Sequence, residues 1–228
     1  MKTIIVSLGQ LISSDISQFK ASFQNSFLNR QLKFTGEDAW NWLLPHLPEL
    51  RLAKINLNDL LGDFNSKFST TLSFDEFRKN FNSMSQMNSD SLTRMKVLVD
   101  FLQSHPDVQI LVVSHSNWSH FEFIMEQLDE ILPYCRAGLI ENDQAIPKGQ
   151  ILFAPSMTSQ CEKHPDTLDW AIKRLKIDLN DPLISLLNTV QAVEGAEQFK
   201  YTPVGPNLRM EDFVNAATVF SSTSPRPN

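Results

Sequence analysis

The chain has 228 residues, 42% of them hydrophobic and 20% charged, with a formal net charge of −6. A domain of this size buries roughly 70–75% of its unfolded surface, enough for one α/β domain with an inserted subdomain, and the 16 Phe supply large core volume. Lys and Arg are scattered singly rather than gathered in a basic stripe with interleaved aromatics, which argues against a nucleic-acid partner.

No apolar run reaches the roughly 18 residues of a membrane span, and no secretory apolar segment opens the chain. With only Cys135 and Cys161, the expectation is a reducing, cytoplasmic setting and two packed thiols rather than a disulfide.

Met1 to Ile12 reads MKTIIVSLGQLI. Thr3 to Val6 is a continuous apolar, largely β-branched run, the pattern of a central parallel strand covered by helices on both faces. Leu8-Gly9-Gln10 is expected to turn away from it. Ser7 then stands at the carboxyl end of the strand, where open α/β sheets place their chemistry.

From Ser13 to about Asp107 the periodicity is helical. Phe19, Phe23 and Phe27 recur every four residues; Ala39, Trp40, Trp42 and Leu43 begin a second apolar face; Leu57, Leu60, Leu61 and Phe64 form a third. Stripes of this spacing read as core. Pro45 and Pro48 break the second helix. Ser73 followed by Glu76 is a capping box, so Ser73 to Met84 is predicted as a helix and Ser91 to Ser104 as the next.

Val108 to Ser114, VQILVVS, is a second buried strand, and the helix after it carries Phe121, Ile124, Met125 and Leu128. A third extended run, Gln150 to Pro155, precedes a helix over Thr167 to Lys176. An apolar strand is expected from Pro182, a last short strand over Phe199 to Val204, and a final helix over Met210 to Val219. Residues 221–228 form a polar Pro/Ser tail, expected to be mobile.

Four stretches, in order, resemble the motifs of the haloacid dehalogenase (HAD) superfamily. IIVSLGQLI is similar to the first, hhFDLGGVL with h apolar, except that Ser7 stands where the family has its nucleophilic Asp. VVSHSNWSHF resembles the second, LLSNTNxxHF in the subgroup that includes sugar-phosphate phosphatases. Ser114 matches the Ser, Ser116 the Thr, Asn117 the second Asn, and His120 with Phe121 the HF pair, while His115 replaces the first Asn. PSMTSQCEKHPD follows S-x-E-x-G-x-x-K-P at Ser156 and Lys163, departs from it at Thr158 and Gln160, and has its Pro one residue late, at Pro165. Aligned on Val193-Glu194-Gly195-Ala196, the acid pair of the fourth motif falls on Leu187 and Asn188.

The resemblance implies a three-layer Rossmann-like parallel sheet formed by residues 1–13 and 105–220, with a helical cap inserted over residues 14–104 that covers the site. It also implies Mg²⁺-dependent phosphoryl transfer from phosphoesters, with the metal held by the nucleophile and a motif-four acid. Mg²⁺ takes hard oxygen ligands, one or two of them carboxylates; Ser7, Gly9, Leu187 and Asn188 supply none. Of the phosphate-holding positions, Ser114 and Lys163 are retained.

The expectation is therefore a HAD-fold pseudoenzyme without a cofactor, acting by binding a protein or a small phosphorylated ligand. The alternative is a hydrolase, again with Mg²⁺, working through atypical residues. A serine nucleophile needs a base within reach, and the candidate pair is Ser7 with His115. His46, His105, His120 and His164 are dispersed, without the spacing of a zinc site.

Overall fold

The computed structural model of the chain describes residues 2–12, 16–27, 33–128, 136–139, 150–161, 164–174, 183–185, 200–201 and 210–221. Its centre is β1 (Lys2–Ser7), paired in parallel with β2 (Val108–Ser114) on one side and β5 (Leu183–Ser185) on the other. Beyond β2 lie β4 (Gln150–Pro155) and β3 (Arg136–Leu139), and beyond β5 lies β6 (Lys200–Tyr201). The order is β3-β4-β2-β1-β5-β6, parallel throughout. The chain leaves β1 toward β2 and leaves β5 toward β6, so the strand order reverses beside β1, which places a crevice at its carboxyl end.

Successive side chains point to opposite faces, and both faces of the central strands are covered. Ile4, Val6, Ile110, Val112 and Phe153 join one cluster with α1 (Leu8–Ile12), α7 (Ser89–Ser104), α8 (Trp118–Gln127) and α11 (Met210–Ser221). Ile5, Leu111, Val113 and Leu152 join another with Leu168, Ala171 and Ile172 of α10 (His164–Arg174), which comes after the short α9 (Ser156–Ser159). Three layers result, as expected for a Rossmann-like sheet. Gln109 Nε2 donates to Thr3 Oγ1 at 2.7 Å between register partners, so the buried polar pair near the start of the two central strands is bonded across the sheet.

The stretch expected to turn after β1 is helical instead. Leu8 and Leu11, three residues apart, are both buried against the sheet cluster, and Ser7 Oγ accepts from the Gly9 N–H at 3.2 Å. The hydroxyl satisfies a first-turn donor that would otherwise be orphaned.

Between β1 and β2 lies a helical block with a core of its own. It contains α2 (Ile16–Asn25), α3 (Gly36–Leu43), a 3₁₀ turn Leu44–His46, α4 (Leu47–Arg51), α5 (Leu57–Phe68) and α6 (Phe74–Asn82), followed by the 3₁₀ turn Ser83–Ser85. Pro45 and Pro48 sit in first turns, where a missing N–H costs least. Phe23, Phe27, Phe64 and Phe77 fill the centre, with Phe64 in ring contact with Phe27, Phe34, Trp42, Phe68 and Phe77. The capping box at Ser73 and Glu76 is present, and matching boxes start α3 at Thr35 and Asp38 and α5 at Asn56 and Asp59.

α7 lays Met95, Leu98, Phe101 and Leu102 on the sheet's cluster rather than on the helical block. Phe19 packs against both clusters and joins the two bodies. Among the described residues no helix is long and apolar enough to cross a membrane.

Candidate functional site

The carboxyl ends of β1 and β2 lie side by side, with Ser7 paired in register with Val113. Over them the helical block closes a chamber of about 340 Å³, within the range of small-molecule sites. The sheet side contributes Ser7, Leu8 and Gly9 after β1, Ser114 to Asn117 after β2, and His120 and Ile124 from α8. The helical side contributes Phe19, Trp40, Leu47, Arg51, Met84 and Ser85, with Leu44 and Pro48. Of the residues singled out from the sequence, Ser7, Gly9, Ser114 and His115 are thus brought together. Lys163, Leu187 and Asn188 lie outside the described residues.

Asn117 organises the loop after β2. It is the N-cap of α8, its Oδ1 accepting from the His120 N–H at 3.0 Å, and its Nδ2 lies 3.1 Å from His120 Nδ1. His120 Nε2 is 3.2 Å from the Phe81 carbonyl, and the imidazole stacks on the Phe81 ring at 4.1 Å. An amide that donates to Nδ1 and a carbonyl that accepts from Nε2–H assign the neutral Nε2–H tautomer. Burial pushes the His120 pKa down to about 4; its bond to Phe81 works against that shift, and the positive charge of Arg51 adds to it.

Ser156, which follows β4, has its hydroxyl 2.9 Å from the Arg51 carbonyl and 3.1 Å from the Ser116 carbonyl. One side chain therefore ties the end of α4 to the loop after β2. A second tie runs along α8. Gln127 Oε1 accepts from the Met87 N–H at 2.7 Å and from Gln86 Nε2 at 2.8 Å, while its Nε2 donates to the Ser85 carbonyl at 3.0 Å. Ser119 donates to Asn82 Oδ1 at 2.9 Å, and Arg78 pairs with Glu122 and Glu126.

Polar groups face the chamber without a partner among the described residues. The Ser114 hydroxyl and the half-buried Arg51 guanidinium make no hydrogen bond or ion pair among the described residues. Burial lowers the Arg51 pKa, yet a guanidinium keeps its proton in proteins. Arg51 and Ser156 gave no signal as site residues in sequence beyond the motif match at Ser156.

The described residues do not fit Mg²⁺. Among the described residues no Asp or Glu lines the chamber, no group of three or more His, Cys, Asp or Glu is placed to hold a metal, and the cation that is present, Arg51, repels another. A hard divalent ion needs carboxylate oxygens that this wall does not offer.

A parallel sheet layered between helices, a helical insertion after its first strand and a chamber over the strand ends together make this a HAD-like fold. Solved structures agree. The chain is similar to the HAD family enzyme BT-2542 of Bacteroides thetaiotaomicron, solved with magnesium and inorganic phosphate, at a TM-score of 0.61 and 11% identity, covering 92% of this chain and 96% of that one. It is also similar to a predicted HAD-like family hydrolase of Porphyromonas gingivalis, at a TM-score of 0.53 and 13% identity, covering 98% of this chain and 99% of that one. No family model matches the chain, and no curated protein matches it.

Proposed function

We propose that this chain uses the HAD-like fold for binding rather than for phosphoryl transfer, and that its ligand is a small phosphorylated molecule held in the chamber. The carrying observation is the wall itself: hydroxyls, an amide, imidazoles and one guanidinium line it, with no carboxylate among the described residues. Transfer in this family begins with a carboxylate attacking phosphorus beside a carboxylate-bound metal. Ser7 at the nucleophile position cannot supply either oxygen, and its hydroxyl is occupied as an acceptor by the Gly9 N–H.

Losing the nucleophile of a covalent mechanism costs orders of magnitude that other residues do not restore. A concave chamber between the helical block and the sheet favours a small ligand over a protein partner. Ser114 and Lys163, the retained phosphate-holding positions, serve as the phosphate contacts in this reading.

The hydrolase alternative draws on one observation, that Ser7 and His115 line the same chamber. One experiment separates the two: hydrolysis of a phosphoester panel with and without Mg²⁺ by the purified protein and by Ser7→Ala. Turnover no higher than that of the variant is expected. Metal-dependent turnover that disappears in Ser7→Ala would overturn the binding reading and make Ser7 a nucleophile.

A further inference from the structure

We infer that Arg51 anchors the anionic head of a ligand whose body is apolar, so that the chamber takes an aryl or alkyl anion rather than a polyhydroxylated sugar phosphate. The inference rests on the chamber being a binding site and names what it binds.

Arg51 is a half-buried cation with no ion pair or hydrogen bond from its side chain among the described residues, in contrast to Lys2, Lys20, Arg78 and Lys173, each of which has a carboxylate partner. A guanidinium drawn out of water and left without a counter-ion is costly. An anionic ligand head supplies the missing partner, and the planar fork can grip phosphate or carboxylate through two parallel N–H donors. No acidic side chain of the described wall competes for it.

His120 adds no charge of its own, since both ring nitrogens are already engaged by Asn117 and Phe81. The backbone carrying Arg51 is itself fixed, because Ser156 holds the Arg51 carbonyl. The backbone that presents the cation is therefore in place before a ligand arrives, which lowers the ordering cost of binding.

The rest of the wall sets the body. Leu8, Phe19, Trp40, Leu47, Met84 and Ile124 face the chamber, and ring hydroxyls of a sugar set against them would lose their hydrogen bonds to water without replacement. The hydroxyls of the sheet side, Ser114 foremost, are enough to satisfy one head group.

The test is isothermal titration of the full chain with phenyl phosphate, hydrocinnamate, the neutral benzyl alcohol and a hexose phosphate, repeated with Arg51→Met and Arg51→Lys. Urea midpoints of both variants check that they fold, and Arg51→Lys keeps the charge if Arg51→Met does not. Saturable binding of an aryl anion, weakened about 10- to 100-fold by Arg51→Met, less by Arg51→Lys, and with benzyl alcohol unaffected, supports the inference. Which of the two aryl anions binds tells a phosphate head from a carboxylate.

Equal affinity of an aryl anion for the protein and Arg51→Met overturns the role of Arg51 while leaving the binding function standing. Tighter binding of the hexose phosphate than of phenyl phosphate refutes the apolar body and likewise leaves the binding function standing. No saturable binding of any probe overturns both.

Discussion

His120 should make the folded protein sensitive to mild acid. In the unfolded chain an imidazole takes up a proton near its ordinary 6.5, whereas the folded environment holds it neutral down to about 4. Between those values the unfolded state binds the extra proton, so stability is fully present above 6.5 and falls as the pH drops through that window. The gap, at about 1.4 kcal/mol per pH unit, corresponds to about 3 kcal/mol lost between pH 7 and pH 4.

Among the described residues, the charged and titratable groups sharing the chamber with His120 are Arg51 and His115, and Arg51 deepens the effect because a second positive charge would face it. The assay is urea unfolding at half-unit pH intervals for the wild type and for His120→Gln, which keeps a polar side chain but cannot titrate. Surface carboxylates contribute equally to both curves and cancel in the difference. The two stabilities should converge by about 3 kcal/mol on going from pH 7 to pH 4. Parallel curves would refute the assignment of a neutral, buried imidazole.

Three further perturbations probe how the cap is built and attached. Gln127→Ala leaves the N–H of buried Met87 and the carbonyl of buried Ser85 without their partners, and should cost about 2–4 kcal/mol in urea unfolding; a loss under about 0.5 kcal/mol would mean that water replaces both bonds. Gly36→Ala places a Cβ 2.4 Å from the Gln24 carbonyl oxygen, a backbone atom that cannot swing aside, and should destabilise by about 1–3 kcal/mol, read as a lowered melting temperature. Phe64→Ala empties the centre of five ring contacts and should cost about 3–5 kcal/mol, with near-ultraviolet circular dichroism of Trp42 reporting the loss.

Much of this architecture is legible in the sequence because it is written in short-range patterns. Apart from the bonded pair Thr3 and Gln109, the β1 and β2 runs are apolar through their centres on both sheet faces, and their predicted ends fall within a residue of the observed ones. Ser73 with Glu76 marks the start of α6 because capping chemistry is local.

What escapes notice depends on tertiary placement. β3 is four residues, RAGL, with an Arg and a Gly that interrupt any apolar run. α1 looks like a turn until the sheet offers Leu8 and Leu11 a surface to cover. α7 follows the helical block in the chain but packs its face against the sheet, and nothing in its periodicity says which surface it meets. Arg51 ends a short, proline-flanked helix like any solvated cation, and only the fold of the block over β2 turns it inward.

The same placement decides how a ligand reaches the chamber. The contacts between helical block and sheet domain are concentrated on α8, whose Ser119, His120, Glu122, Glu126 and Gln127 bond residues 78 to 87 of the block. Opening along that side requires breaking a row of hydrogen bonds at once, several of them to buried backbone groups, and is therefore the most expensive direction of movement. On the other side, Ser156 bonds the Arg51 carbonyl, and Leu44, a chamber residue, is 49% exposed.

A residue that both lines the cavity and faces solvent marks its rim, so the 3₁₀ turn Leu44–His46 borders the mouth. In the proposed reading, an entering anion passes an apolar rim and meets Arg51 two short turns further along the same segment. The cap can thus stay latched to α8 while the site fills.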